Sequence, residues 1–247
     1  MKPPSSYPSS QKPEDRLAVA LDFPSAKQAL DLVDRLAGTC RWFKVGMELY
    51  YATGNGFIED LRNRGFQVFL DLKLHDIPNT VAGGVRSATE AGASLLTIHA
   101  AGGPTMMAAA AEAAAAPGAP RLLAVTVLTS MDANELTAVG VVSSPAEQVM
   151  RLATLAKRAG INGMVCSAEE ISPLRAELGD EAMLVIPGIR PGGSDIGDQK
   201  RIATPGVAIE RGASMLVVGR PITRAADPAQ AAESILDEIA RFSRSLS

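Results

Sequence analysis

The chain has only two cysteines in 247 residues, Cys40 and Cys166, and neither has a C-x-x-C or C-x-x-H neighbour. That argues against a thiolate metal site or a disulfide framework and fits a reducing compartment, with both thiols buried in apolar runs. Basic residues are not in excess: 24 Lys and Arg against 27 Asp and Glu leave a net charge of -3. The footprint of a nucleic-acid or anionic-membrane binder is therefore missing, and an anionic ligand would need a local cluster of donors. No apolar run reaches the length of a membrane span. The Pro- and Ser-rich opening, Met1 to Asp15, lacks the apolar core of a signal peptide. It is expected to be a disordered tail ahead of a single catalytic domain over 16–247, in a cytoplasmic protein.

What is present is a regular alternation. Short apolar runs predict strands at Leu17–Asp22, Trp42–Gly46, Gln67–Asp71, Leu95–His99, Leu122–Leu128, Gly163–Cys166, Met183–Ile186 and Met215–Val218. Between them lie helical stretches with legible ends. Ser25 can cap the first, Pro78 suits the first turn of another, and Ser144-Pro145-Ala146-Glu147 combines a capping box with Pro at N1. Ser167-Ala168-Glu169-Glu170 reads as a second box, and Asp227-Pro228 opens the final amphipathic helix. Strands this apolar are buried on both faces, which means a parallel sheet. Eight strand–helix units predict a (β/α)8 TIM barrel in the α/β class. A doubly wound open sheet is the alternative, but Asp22-Phe23-Pro24 stands where its Gly-rich fingerprint would follow the first strand.

In a barrel, chemistry gathers where strands end and βα-loops begin, and polar residues recur there. Asp22 ends the first strand, Lys44 lies in the second, and Asp71 and Lys73 end the third, with Asp76 three residues on. His99 ends the fourth, Thr129 and Ser130 follow the fifth, and Gly219-Arg220 follow the eighth. Residues two apart in a strand share a face, so Asp71 and Lys73 point one way and Leu70, Leu72 and Leu74 the other. An isolated D-x-K-x-x-D reads equally as a structural ion pair or a reaction centre. Buried lysines need partners, however, and two lysines with three aspartates on one rim form a charged network. The loops Pro187–Gly193 and Val218–Pro221 each carry glycine and an arginine after the last two strands, where barrels often bind phosphate. His75 lies out of phase with Asp71 and Lys73, and neither it nor His99 has a second ligand at metal-binding spacing.

The run Asp71-Leu72-Lys73-Leu74-His75-Asp76-Ile77-Pro78-Asn79-Thr80 resembles the signature of the orotidine 5′-phosphate decarboxylase family. The resemblance extends to Leu21-Asp22, Phe43–Gly46, Leu128–Ser130, Pro187–Pro191 and Val218–Pro221, and so covers nearly all of 16–240. It implies decarboxylation of orotidine 5′-phosphate to UMP, with no metal or organic cofactor. Lys73 resembles the proton donor to C6, Asp71 the carboxylate beside the departing CO2, and Lys44 and Asp76 the rest of an alternating network. Asp22 and Lys44 resemble ribose contacts, and Thr129, Ser130 and Ile77 further substrate contacts. Arg190 and Gln199 match the loop over the phosphate, and Gly219 and Arg220 the floor beneath it. The family also implies a homodimer, with Asp76 and Thr80 reaching the neighbouring subunit's site. A magnesium-dependent sugar-phosphate enzyme of the same barrel type shares Asp71, Lys73 and Asp76 and is the nearest alternative; a non-catalytic nucleotide-binding barrel is the other.

Overall fold

The computed structural model describes residues 12–192 and 203–244. Eight parallel strands close into a barrel in sequence order. They are β1 (Leu17–Ala20), β2 (Trp42–Gly46), β3 (Gln67–Leu74), β4 (Leu95–His99), β5 (Arg121–Val125), β6 (Gly163–Val165), β7 (Met183–Ile186) and β8 (Met215–Val218). The ring shuts where Leu17–Val19 pair with Leu216–Val218. The predicted TIM barrel is therefore the observed fold.

Side-chain alternation divides the interior into two layers. Ala18, Ala20, Phe69, Leu95, Leu123, Met183, Val185, Met215 and Val217 point into the barrel and pack on one another. Their neighbours in sequence, such as Leu17, Val19, Leu70, Leu96, Leu216 and Val218, point outward against the helices. The outer shell is α1 (Ala26–Leu36), α2 (Met47–Thr53), α3 (Asn55–Asn63), α4 (Pro78–Ala91), α5 (Gly103–Ala113) and α6 (Ala133–Ala138), followed by α7 (Pro145–Arg158), α8 (Ile171–Leu178), α9 (Pro205–Glu210), α10 (Arg220–Thr223) and α11 (Pro228–Arg244). Among the described residues, no helix is long and apolar enough to cross a membrane.

The predicted capping box at Ser144 is complete: Ser144 accepts from Glu147 N, and the Glu147 carboxylate accepts from Ser144 N at 2.9 Å. The second one is not. Ser167 N donates to Glu170 at 2.6 Å, but α8 begins only at Ile171. Pro173 is the reason. A helix starting at Ala168 would put this proline in its interior, where it has no N–H to donate and clashes with the preceding turn. The stretch after β2 forms two helices. Gly54, at φ +68, separates α2 from α3. At the chain start, Pro13–Asp15 form a 3-10 turn and Asp15 pairs with Arg41 at 3.0 Å. The expected tail before Lys12 lies outside the described residues.

Candidate active site

Burial of the first three strands forces four charged side chains into one line. Lys44 enters the barrel from the middle of β2, and its side chain is 10% exposed. Its Nζ lies 3.0 Å from Asp22 Oδ1, just beyond β1, and 3.6 Å from Asp71 Oδ2 on β3. Asp71 Oδ1 in turn accepts from Lys73 Nζ at 2.8 Å. The order Asp22, Lys44, Asp71, Lys73 alternates sign, so the two inner, buried charges, Lys44 and Asp71, each meet opposite charges on both sides and their desolvation is offset. Gly46 keeps this line open: a Cβ there would stand 2.9 Å from Lys44 Nζ and 3.3 Å from Asp22 Oδ1.

Burial pushes the Asp71 carboxyl up, but Lys44 and Lys73, helped by hydrogen bonds from Lys73 and Thr97, more than reverse this. Asp71 is held below the usual carboxylate range and stays ionised. The two histidines sit beside the network, with ring centroids 5.3 Å apart. Burial lowers His99 below its ordinary 6.5; His75 and Lys73 lower it further, and Asp71 opposes them. His99 is thus neutral near pH 7. Among the described residues, no group of three or more His, Cys, Asp and Glu is placed to hold a metal ion.

A cavity of about 720 Å³ opens over these groups at the C-terminal end of the barrel. Its floor is apolar, with Ala20, Phe69, Val125, Val165 and Val217, and its rim is polar. Asp22, Lys44, Asp71, Lys73, Thr129, Arg190, Gly219 and Arg220 all line it. The ring order sets their separation. Arg190, after β7, and Gly219-Arg220, after β8, stand on one side; Asp22 and Lys44 come next; Asp71 and Lys73 are farthest round. The loop carrying Arg190 is clasped at its base, where Arg190 N donates to Ala203 O at 2.9 Å and Ile189 bridges Ala203. Arg190 itself is buried and donates from Nη1 to Ile189 O at 2.9 Å.

Four of the expected site residues stand on the surface of the chain, among them Asp76 and Thr80, which were expected at the neighbouring subunit's site. Asp76, Ile77, Thr80 and Ser130 are exposed and do not line the cavity, and Ile77 is 67% exposed. Asp76 accepts from Ile77 N at 2.6 Å and has no ion pair with a described residue of its own chain. Gln199 lies outside the described residues. Sequence reasoning also missed Thr97, which is fully buried and bonded to both Asp71 and Lys73. Nothing in Leu95-Leu96-Thr97-Ile98-His99 marks it, because its partners are set by the pairing of two strands. Phe69 and Val125 went unremarked as cavity floor for the same reason.

Comparison with known proteins agrees with this geometry. Residues 15–235 match the family described as Orotidine 5′-phosphate decarboxylase / HUMPS family. The orotidine 5′-phosphate decarboxylase of Vibrio campbellii is 50% identical over 230 residues, which is 92% of this chain and 98% of that protein. The Haemophilus ducreyi enzyme of the same name is 48% identical over 229 residues, covering 92% of this chain and all of that protein, at 100%. The crystal structure of the Lactobacillus acidophilus orotidine 5′-phosphate decarboxylase superposes with a TM-score of 0.81 at 40% identity, over 91% of this chain and 99% of that one.

Proposed function

The chain belongs to the Orotidine 5′-phosphate decarboxylase / HUMPS family, and on that premise we propose that it converts orotidine 5′-phosphate to UMP and CO2, completing pyrimidine nucleotide synthesis. The observation that carries this reading is one cavity with an alternating Asp–Lys line on one side and two arginine-bearing loops on the other. A nucleoside monophosphate has the matching layout. Its phosphate would meet Arg220, Arg190 and the backbone of Gly219, since a guanidinium fork suits phosphate oxygens. Its ribose would lie along Asp22 and Lys44, and its pyrimidine would reach Thr129 and the Asp71–Lys73 end. A volume near 720 Å³ suits a ligand of that size.

The reaction breaks the C6–carboxylate bond and leaves the electron pair on C6, where no ring carbonyl is placed to delocalise it. Preorganised charge is then the main means of lowering the barrier. Lys73 is the candidate: its Nζ donates to Asp71 Oδ1 at 2.8 Å, and the residue lines the cavity. It stabilises the developing negative charge and then gives C6 the proton that replaces CO2. Asp71 holds the Lys73 side chain in place and also repels the departing carboxylate. At an effective dielectric near 20, two like charges about 4 Å apart interact by roughly 4 kcal/mol, or about three decades of rate. The substrate can relieve that repulsion by shifting, so Lys73 carries the larger part. Phosphate binding at Arg190 and Arg220, remote from C6, contributes binding energy that supports the chemical step.

The active unit we propose is a homodimer. Asp76, Ile77 and Thr80 form an exposed group beside the network, and Ile77 is a large apolar side chain open to solvent. A second copy covering this surface would bury Ile77 and bring Asp76 and Thr80 to its neighbour's site. The test of the activity is the ultraviolet absorbance of orotidine 5′-phosphate on addition of chelator-treated protein. The expected result is a full shift to the UMP spectrum. Turnover only of a sugar phosphate, and only with magnesium, would overturn the assignment, as would nucleotide binding without release of CO2.

A further inference from the structure

The pairing of β3 with β4 is irregular where the network begins. Leu70 pairs with Leu96 and Leu74 with Ile98, so Asp71, Leu72 and Lys73 together face the single residue Thr97. Such a bulge would ordinarily scatter the side chains it carries. Lys73 also stands at φ +50, and among the described residues it is the one non-glycine residue at positive φ. A residue with a Cβ adopts that backbone only when its surroundings impose it.

The Thr97 hydroxyl supplies the imposition. It accepts from Lys73 N at 2.8 Å and donates to Asp71 Oδ1 at 3.0 Å. One oxygen thus closes the bulge from the β4 side and binds both the backbone of the lysine and the carboxylate of the aspartate. The donor count is complete: the hydroxyl's one proton goes to the carboxylate and a lone pair receives the amide. Thr126 makes the contrast. Its hydroxyl simply donates to a backbone carbonyl, Val165 O, at 3.1 Å. Thr97 is 0% exposed, so no solvent can substitute for either bond.

We infer that Thr97 is a positioning residue for the decarboxylation proposed above: it holds Lys73 in its left-handed conformation and fixes Asp71 against it. It touches neither the cavity nor the substrate, and it acts through those two residues. Loss of its hydroxyl leaves a buried Lys73 amide unpaired and frees the bulge to relax. It also removes one of the bonds that keep Asp71 ionised, with Lys44 and Lys73 still beside it, Asp22 beyond Lys44, and His99 and His75 on the β4 side.

Thr97→Val keeps the shape and removes the oxygen, whereas Thr97→Ser keeps the oxygen. On orotidine 5′-phosphate, Thr97→Val should lower kcat by about 10- to 100-fold, the scale of an ångström-sized misplacement, while KM stays within about threefold. The acid limb of its kcat profile should move to higher pH, and Thr97→Ser should restore most of the loss and the original limb. If Thr97→Val does not fold, Thr97→Ala takes its place in the same comparison. A crystal structure of the variant gives a readout that does not depend on turnover: Lys73 should leave positive φ, with Nζ no longer on Asp71. Wild-type kcat and pH profile in the valine variant would overturn the inference, as would an unmoved Lys73 or a serine variant as damaged as the valine one. A wild-type protein inert toward orotidine 5′-phosphate would instead sink the proposed function, and the crystal structure would still decide the role of Thr97.

Discussion

Replacing Asp71 with asparagine should cost stability as well as activity, and the network sets the size of the effect. Asp71 lies 2.8 Å from Lys73 Nζ and 3.6 Å from Lys44 Nζ, with a side chain 14% exposed. At an effective dielectric near 20, each contact is worth about 5 kcal/mol of attraction before desolvation is counted. Removing one partner of a buried pair costs roughly 3–5 kcal/mol, because the other charge is left uncompensated. Lys44 keeps Asp22 at 3.0 Å, but among the described residues Lys73 has no other carboxylate within 4 Å. Lys73 is 28% exposed, and Asp76 of the partner subunit is proposed to lie nearby, so the lower end applies. A loss of about 3 kcal/mol lowers Tm by roughly 6–12 °C in a chain of this size. Urea titration of Asp71→Asn should show an earlier midpoint at unchanged slope. Adding Lys73→Ala should recover part of the loss, because it removes the stranded charge. A midpoint at or above that of the wild type would refute the view that these charges depend on one another.

Three further outcomes follow from the same geometry. Arg220→Ala should lower kcat/KM on orotidine 5′-phosphate by at least about 100-fold although it touches no reacting atom, since remote binding energy supports the chemical step; a near-normal steady-state value would remove the phosphate from that corner. His99 binds a proton less readily in the fold than in the unfolded chain, whose ordinary value is 6.5. Its contribution is therefore intact above about pH 6.5 and diminishes as pH falls below it, so wild-type stability should drop on mild acidification and His99→Asn should flatten that part of the curve. The Asp71 contribution has the same sense in a lower window, present above the ordinary 3.8 and lost as pH falls through its depressed value. Finally, mixing inactive Lys73→Ala and Asp76→Ala chains should regain turnover, because a hybrid dimer holds one site with both residues; a mixture as inert as its parts would count against the shared site.

The architecture was open to reading because buried parallel strands leave a plain signal. Leu95–His99 and Met215–Val218 have the bounds their apolar runs suggest. Asp71 and Lys73 face the cavity as alternation implied, but the route is different: Gln67–Leu74 is one strand interrupted by a bulge, not a regular pleat ending at Asp71. Pairing between strands sets that bulge, and no local pattern reports it. Thr97 escaped notice for this reason, and so did the narrow clearance at Gly46. The Pro173 veto on the Ser167 box shows the converse, where a local motif is overruled by a residue further along.

The most direct measurement is the turnover of orotidine 5′-phosphate by Lys73→Ala, taken beside its thermal melt and its affinity for UMP. Decarboxylation should fall by several orders of magnitude, on the scale of losing the principal charge at the reacting carbon, while the folded protein still binds nucleotide. Decarboxylation within about tenfold of the wild type would mean that Lys73 neither stabilises nor protonates C6.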